Sequence, residues 1–304
     1  MELSALFELQ GTLFLMMLVG MMLRRWGIID DAGKRCLTDL CVNVIIPCNI
    51  VKGFLIELDM EVLQAGALVL VIAAGVQVLC MVLNRFLYNR FGEQQKKVLQ
   101  YCTLVSNGGF LGNPIAEGVY GSLGLLYASL FLIPTRIVMW SVGTSYFVAG
   151  STDPKKVLKN IVTHPCLVAV YLGLVLMITG IPLPGVVEST VRSIGGCNTA
   201  MTMLIVGTVM AEVPLHTIFT RTTMLYSGLR LVLIPLAALG MCALAGLSGP
   251  AAGVCVLLAG MPAAATTALF AARYDSDAPF AARCVVLSTL LSMLTVPVWC
   301  WVVG

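Results

Sequence analysis

Ten apolar stretches, each long enough to cross a lipid bilayer, follow one another along the chain and are separated by short polar segments. A spanning helix needs about 20 mostly apolar residues. Turn residues such as Pro182, Pro184 and Ser248-Gly249-Pro250 separate several of the stretches. The predicted spans are 5–23, 37–56, 62–84, 98–120, 124–148, 161–180, 186–211, 222–246, 251–272 and 280–303.

Basic residues concentrate in every second connection between these spans. Of the 18 lysines and arginines, the odd-numbered connections hold Arg24, Arg25, Lys34, Arg35, Arg85, Arg90, Lys96, Lys97, Lys155, Lys156, Lys159, Arg221, Arg273 and Arg283. The even-numbered connections hold Glu57, Asp59, Glu61, Glu117 and Glu188, with Arg192 as their one basic residue. Because cytoplasmic loops are enriched in Lys and Arg, the pattern predicts cytoplasmic odd loops and extracytoplasmic termini.

Composition supports a membrane protein. Of 304 residues, 59% are hydrophobic and 11% are charged, and the mean hydropathy is +0.96. Soluble domains carry about 25% charged residues, so this chain is expected to face lipid in a cell (inner) membrane. A net charge of +3 gives no indication of nucleic-acid binding. The 11 cysteines form no CxxC pair and are interpreted as structural thiols, so we expect no metal and no cofactor. Met1-Glu2 begins no recognisable signal peptide.

The longest hydrophilic linker, 149–160, divides the chain into two sets of five spans, 1–148 and 161–304. An odd number of spans per set places the two sets in opposite orientations, which is the inverted-repeat plan of many secondary transporters. The fold expected is therefore an all-α membrane protein of ten helices in two inverted five-helix repeats. Spans four and nine are each interrupted by glycine and proline, at Gly112-Asn113-Pro114 and Gly260-Met261-Pro262.

Such interruptions indicate a binding site when they occur at matching places in both halves. Proline removes a backbone donor and glycine lets the chain open, so polar backbone groups become free for a substrate. Half-helices starting at Pro114 and Pro262 would direct their positive N-terminal ends at the protein centre and favour an anion. The alternative is that each proline only kinks its helix.

Several short motifs resemble the auxin efflux carrier family, which includes plant auxin carriers and bacterial permeases associated with malate, malonate and other carboxylates. They cover nearly the whole chain in the family's order: Asn43-Val44-Ile45-Ile46-Pro47, Ser106 to Pro114 with Tyr120-Gly121, His164-Pro165 with Leu172-Gly173-Leu174, Met261 to Asp275, Leu287-Ser288-Thr289 and Thr295-Val296-Pro297. His164 departs from the pattern, since the family usually has Asn before that proline.

The resemblance implies crossed broken helices four and nine, a scaffold domain, and a transport domain that moves in an elevator-like cycle. It also implies a substrate held near the crossover and, in some members, a homodimer. Binding roles carry over to Asn107, Pro114, Pro262 and Arg136. Neighbouring positions Gly109, Gly112, Asn113 and Gly260 join them as candidates.

Three of the charged residues that fall within predicted spans are candidates for a functional role. Arg136 lies midway along the fifth span, where an arginine costs about 2.5–3.5 kcal/mol to insert. It either pairs with a substrate carboxylate or forms a structural ion pair, for which Glu117 is the candidate partner. Arg230 either acts in the same way or snorkels towards the cytoplasm. Glu117 either carries a coupling proton or is a solvated outer residue.

Uncharged polar side chains in the spans are further candidates. Asn43, Asn49, Thr266 and Thr267 either contact the substrate or hold helices together through hydrogen bonds. Lys52 is expected to snorkel outwards, and His164 to cap or pack rather than relay protons.

The sequence thus favours a carrier of a small organic anion, a mono- or dicarboxylate, driven by H⁺, Na⁺ or neither. The alternatives are a channel, a non-transporting sensor, or a carrier of a non-anionic solute. A membrane enzyme is not expected, because the chain has two histidines, no HExxH, no GxSxG and no acidic cluster.

Overall fold

Helices make up nearly all of the regular structure. The computed structural model describes residues 3–56, 59–147, 154–274 and 276–303. Within these ranges the backbone forms fifteen α-helices and no β-strand. They are α1 Leu3–Arg25, α2 Asp31–Leu40, α3 Ile46–Phe54, α4 Met60–Leu87, α5 Glu93–Leu104, α6 Asn113–Val138, α7 Pro154–Val162, α8 Pro165–Thr179, α9 Gly185–Gly196, α10 Asn198–Ala211, α11 Arg221–Gly228, α12 Ile234–Leu244, α13 Gly249–Ala259, α14 Thr266–Arg273 and α15 Ala278–Val303.

Short π-helical turns connect or extend several of these helices, at Cys41–Ile45, Gly108–Gly112, Met139–Gly143 and Leu229–Leu233. Six of the resulting helical stretches are long and apolar enough to cross a membrane. They are Asp31–Phe54, Met60–Leu87, Gly108–Gly143, Gly185–Ala211, Arg221–Leu244 and Ala278–Val303. Helices α8 and α13 are apolar but shorter.

Within the described ranges, each predicted apolar stretch contains helix, with local differences. Spans four and five are joined through Gly121, whose φ of 63° turns the chain inside an otherwise continuous helix. Gly121 has this left-handed conformation at no steric cost because it lacks a Cβ. Of the predicted linker, residues 149–153 lie outside the described ranges, and the remainder belongs to α7.

Helices α1 and α10 pack side by side at very close range. A Cβ built on Gly207 would lie 2.0 Å from the Met17 carbonyl oxygen, and one on Gly20 would lie 2.2 Å from that of Leu204. Glycine is therefore required for this approach. The two helices run parallel, because Glu212 after α10 forms an ion pair with Arg24 at the end of α1.

We expect Gly207→Ala to lower the midpoint of thermal unfolding in detergent by about 5 °C, since overpacking a close contact costs about 1–3 kcal/mol. Gly11→Ala on the partner helix is the matched control, because a Cβ there meets nothing within 4 Å. That control should be neutral or slightly stabilising, as alanine favours a helix. Equal midpoints for the two variants would contradict the close packing.

Candidate functional site

Two interruptions of apolar helices meet inside the protein and pair with each other. One lies between α5 and the π-turn before α6, and the other between α13 and α14. Ser106 and Ala263 form an antiparallel bridge, and the Asn107 amide donates to the Pro262 carbonyl at 2.8 Å. The Ala263 amide donates to the Ser288 hydroxyl at 3.1 Å. The polar backbone groups of each break, which lie in an apolar interior, are thus partly hydrogen-bonded to the other break.

The helices that follow the two breaks agree with the sequence expectation at the first break but not at the second. After the π-turn Gly108–Gly112, α6 begins at Asn113, next to Pro114, whereas α14 begins at Thr266, so the expectation of a start at Pro262 was wrong. Pro114 lies in the first turn of α6, where a missing amide hydrogen costs little, and Pro262 lies within the second break. Gly112 faces the end of α13 and the second break, since a Cβ there would come 3.4 Å from the Leu258 side chain and 3.2 Å from that of Met261.

The helix ends that precede the breaks share one cation, Arg230. Its Nε donates to the Met261 carbonyl at 2.8 Å and its Nη1 to the Thr103 carbonyl at 3.0 Å. The Tyr226 hydroxyl donates to the neighbouring Cys102 carbonyl at 2.9 Å. Arg230 is only 3% exposed, so the snorkelling expected from the sequence was wrong. A guanidinium at two helix C-termini offsets the partial negative charge of both.

The helix N-termini that follow the breaks have no acidic residue in their first turns to offset their partial positive charge. The structure describes the whole first turn of each, at Gly108 and at Thr266, and neither turn contains an acidic residue. Two buried polar groups beside them, the Asn107 Nδ2 and the Thr267 hydroxyl, have no hydrogen-bond partner among the described residues. Positive helix N-termini and free hydrogen-bond donors are groups that favour an anion over a cation.

Arg136 is a second buried cation, and it lacks a carboxylate. It is 8% exposed, its Nη1 has no hydrogen-bond partner, and no acidic residue of the described ranges lies within ion-pair distance of it. The pairing with Glu117 suggested from the sequence was wrong, because Glu117 forms an ion pair with Lys52. The Lys52 side chain, which was expected to snorkel outwards, therefore has an ion-pair partner within the protein.

An aromatic cluster connects the Arg136 region to the second break. Trp140, one turn after Arg136, has its ring 6.1 Å from those of both His164 and Phe270. Phe270 on α14 stacks on Tyr101 of α5 at 5.2 Å. The Tyr101 hydroxyl lies 3.4 Å from the Thr266 hydroxyl. Sequence reasoning missed Tyr101 and Phe270, since an aromatic residue in an apolar stretch has no distinguishing pattern.

The remaining candidates are placed differently. Asn43 is exposed, and its Nδ2 donates to the Asp39 carbonyl at 2.8 Å. Asn49 and Asn113 are fully buried, with both amide atoms unbonded to protein. Gly109 is partly buried with open space beside it, and Gly260 caps the end of α13. The expected capping role of His164 is confirmed, because its Nδ1 accepts from the Cys166 amide at 3.3 Å.

Known proteins resemble this chain over nearly its full length. An uncharacterized transporter of Methanothermobacter thermautotrophicus is 27% identical over 291 residues, which is 95% of each chain. The uncharacterized transporter YfdV of Escherichia coli K12 is 22% identical over 302 residues, again 95% of each chain. A third, from Methanocaldococcus jannaschii, is 21% identical over 95% of this chain and 96% of its own.

A family model described as membrane transport protein matches residues 7–153 and 151–300. This match covers almost the entire chain and agrees with the resemblance drawn from the breaks at Asn107 and Pro262. Several apolar helices of spanning length accompany it. The chain is a multi-pass membrane protein that belongs to this membrane transport protein family, the auxin efflux carriers.

Proposed function

We propose that the protein is a secondary transporter of a small organic anion whose carboxylate binds Arg136. One observation carries the proposal: Arg136 is a buried cation for which the described part of the chain supplies no carboxylate. An unneutralised buried charge is costly, and a substrate carboxylate is the natural partner of the bidentate guanidinium fork. The free Nη1 is available for such a bond.

The charges at the two breaks also favour a negatively charged substrate. Arg230 offsets the two C-terminal ends, whereas the N-terminal ends at Gly108 and Thr266 remain without an acidic neighbour in their first turns, all of whose residues are described. The net field at the centre therefore favours an anion over a cation. A mono- or dicarboxylate is favoured by this field and supplies the carboxylate that Arg136 lacks.

We further propose that ten membrane helices form two inverted repeats, 1–148 and 161–304, and that the paired breaks move together in elevator-type alternating access. The breaks support this because they occupy corresponding places in the two halves and bond to each other. Both termini would be extracytoplasmic, following the distribution of basic residues. Glu117 forms an ion pair with Lys52, which argues against a free carboxyl group for proton coupling at this position.

We expect small carboxylates to stabilise the purified protein against heat. A bound ligand at 100 times its Kd adds about 2.7 kcal/mol, which corresponds to a rise in the unfolding midpoint of roughly 5–10 °C. The panel should pair each acid with its neutral amide, such as propionate with propionamide and succinate with succinamide, in Na⁺ and in K⁺. Stabilisation by the amides but not by the acids would overturn the anion proposal while leaving a transporter.

A further inference from the structure

Four buried side-chain amides share a condition that is rare in a protein interior. Gln10, Asn49, Asn113 and Asn198 are each 5% exposed or less. None of their amide nitrogens or oxygens has a hydrogen-bond partner in the part of the chain that the structure describes. Buried polar groups are almost always paired, so four wholly unpaired amides call for a ligand or a functional explanation.

The segments that contain Asn49 and Asn198 are brought together because α9 crosses α3 at short range. A Cβ built on Gly195 would lie 3.0 Å from both the backbone nitrogen and the Cα of Asn49. Asn198 follows Gly195 by about one helical turn, at the start of α10. The contact at Gly195 therefore brings the two asparagines to the same level of the protein.

Gln10 reaches this level through the parallel packing of α1 and α10. Gly20 lies against Leu204 and Gly207 against Met17. About two turns back along both helices, this register places Gln10 beside the segment that contains Asn198.

Asn113 completes the group from the first break. Its helix, α6, packs against α1, where a Cβ on Gly118 would lie 2.8 Å from the Leu9 side chain, next to Gln10. Helix α6 also packs against α3, and α10 packs against the π-turn just before Asn113. The four amides therefore lie on α1, α3, α6 and α10, which these contacts link to one another beside the first break; we call these four residues the amide chamber.

Amides offer both donors and acceptors but no charge. They suit a group that can donate and accept at once, such as a hydroxyl or a carboxamide, whereas a carboxylate is better served by Arg136 and the helix N-termini. We propose that the amide chamber binds an uncharged hydroxyl or carboxamide group of the transported anion. The inference rests on the proposed function, since it assigns the part of the solute beyond its carboxylate.

Stability measurements separate a binding role from a structural one. Asn49→Leu and Asn198→Leu remove unpaired amides at similar volume, so we expect the unfolding midpoint without ligand to stay or rise. Asn84→Leu is the matched control, because Asn84 is 1% exposed but its Nδ2 donates to the Gln100 carbonyl at 2.9 Å. The control should lose about 3 °C or more. An equal loss in all three variants would make the chamber amides structural and overturn the inference.

Ligand binding then tests what the chamber recognises. Wild-type protein should bind lactate or 3-hydroxypropionate about tenfold more tightly than propionate, as a site built for a hydroxyl rejects an analogue that lacks it. The Asn198→Leu variant should bind propionate as wild type does, but it should no longer bind lactate or 3-hydroxypropionate more tightly than propionate. Equal binding of the matched acids by wild type, or full discrimination by Asn198→Leu, would overturn the inference alone. Failure of every carboxylate to bind wild type would remove the proposed function and the inference with it.

Discussion

Replacing Arg136 with alanine is expected to reduce the initial rate of carboxylate uptake into proteoliposomes by at least about 100-fold. A charge-assisted contact to a desolvated carboxylate is worth roughly 2–5 kcal/mol, and each 1.4 kcal/mol is a factor of ten. The folded protein should not suffer, because the side chain has no ion-pair partner in the described ranges. Its unfolding midpoint without substrate should be unchanged or higher.

Two companion variants sharpen this experiment. Arg136→Lys keeps the charge but loses the planar fork, so we expect uptake between that of wild type and Arg136→Ala. Arg192→Ala removes an exposed arginine that pairs with Glu188 one turn away, and it should transport normally. Uptake at the wild-type rate by Arg136→Ala, with equal protein incorporated, would show that Arg136 does not bind the solute.

The two breaks illustrate how far the sequence leads. Glycine and proline at matching places indicated that spans four and nine are interrupted, and both interruptions exist. The helix start expected at Pro114 agrees with α6, because proline is tolerated in the first turn of a helix, whereas the start expected at Pro262 was wrong because α14 begins at Thr266. The actual break is set by pairing between remote segments, with the Asn107 amide bonded to the Pro262 carbonyl. Such a non-local bond leaves no mark on local spacing.

The two intramembrane arginines show a similar limit. Arg136 and Arg230 were alike in the sequence, and each suggested an anion site. The structure distinguishes them by their partners, since Arg230 is bonded to two carbonyls and Arg136 retains a free Nη1. A π-helical turn at Leu229–Leu233 contains Arg230, and no local propensity predicts such turns.

The amides at Gln10 and Asn198 were overlooked for a different reason. A signal existed, because each is an uncharged polar residue in an otherwise apolar stretch. Interhelical hydrogen bonding is the common role of such residues in membranes, so the signal does not single out a site. Only the absence of any protein partner, seen in three dimensions, makes them candidates for binding.

Replacing Arg230 with methionine is expected to produce the largest loss of stability among the variants considered. Methionine keeps much of the volume but leaves the Met261 and Thr103 carbonyls buried without their donor. Two charge-assisted hydrogen bonds contribute about 1.5–3 kcal/mol each, against a typical total stability of roughly 5–15 kcal/mol. We expect the unfolding midpoint in detergent to fall by about 10 °C or more, or the folded yield to collapse.

Arg85→Met is the matched control, since Arg85 is also an arginine in the last turn of a helix but is exposed. Its interaction with the helix end is worth only about 0.3–1 kcal/mol, so its midpoint should change little. Arg230→Lys should fall between the two, because a single ammonium supplies the charge but not the fork that spans both carbonyls. A folded Arg230→Met protein with the midpoint of Arg85→Met would contradict a role for Arg230 in holding the breaks together. Substrate-dependent stabilisation that survives in Arg230→Lys but is absent in Arg136→Ala would then assign the two buried cations to separate tasks, one to the architecture of the crossover and the other to the solute.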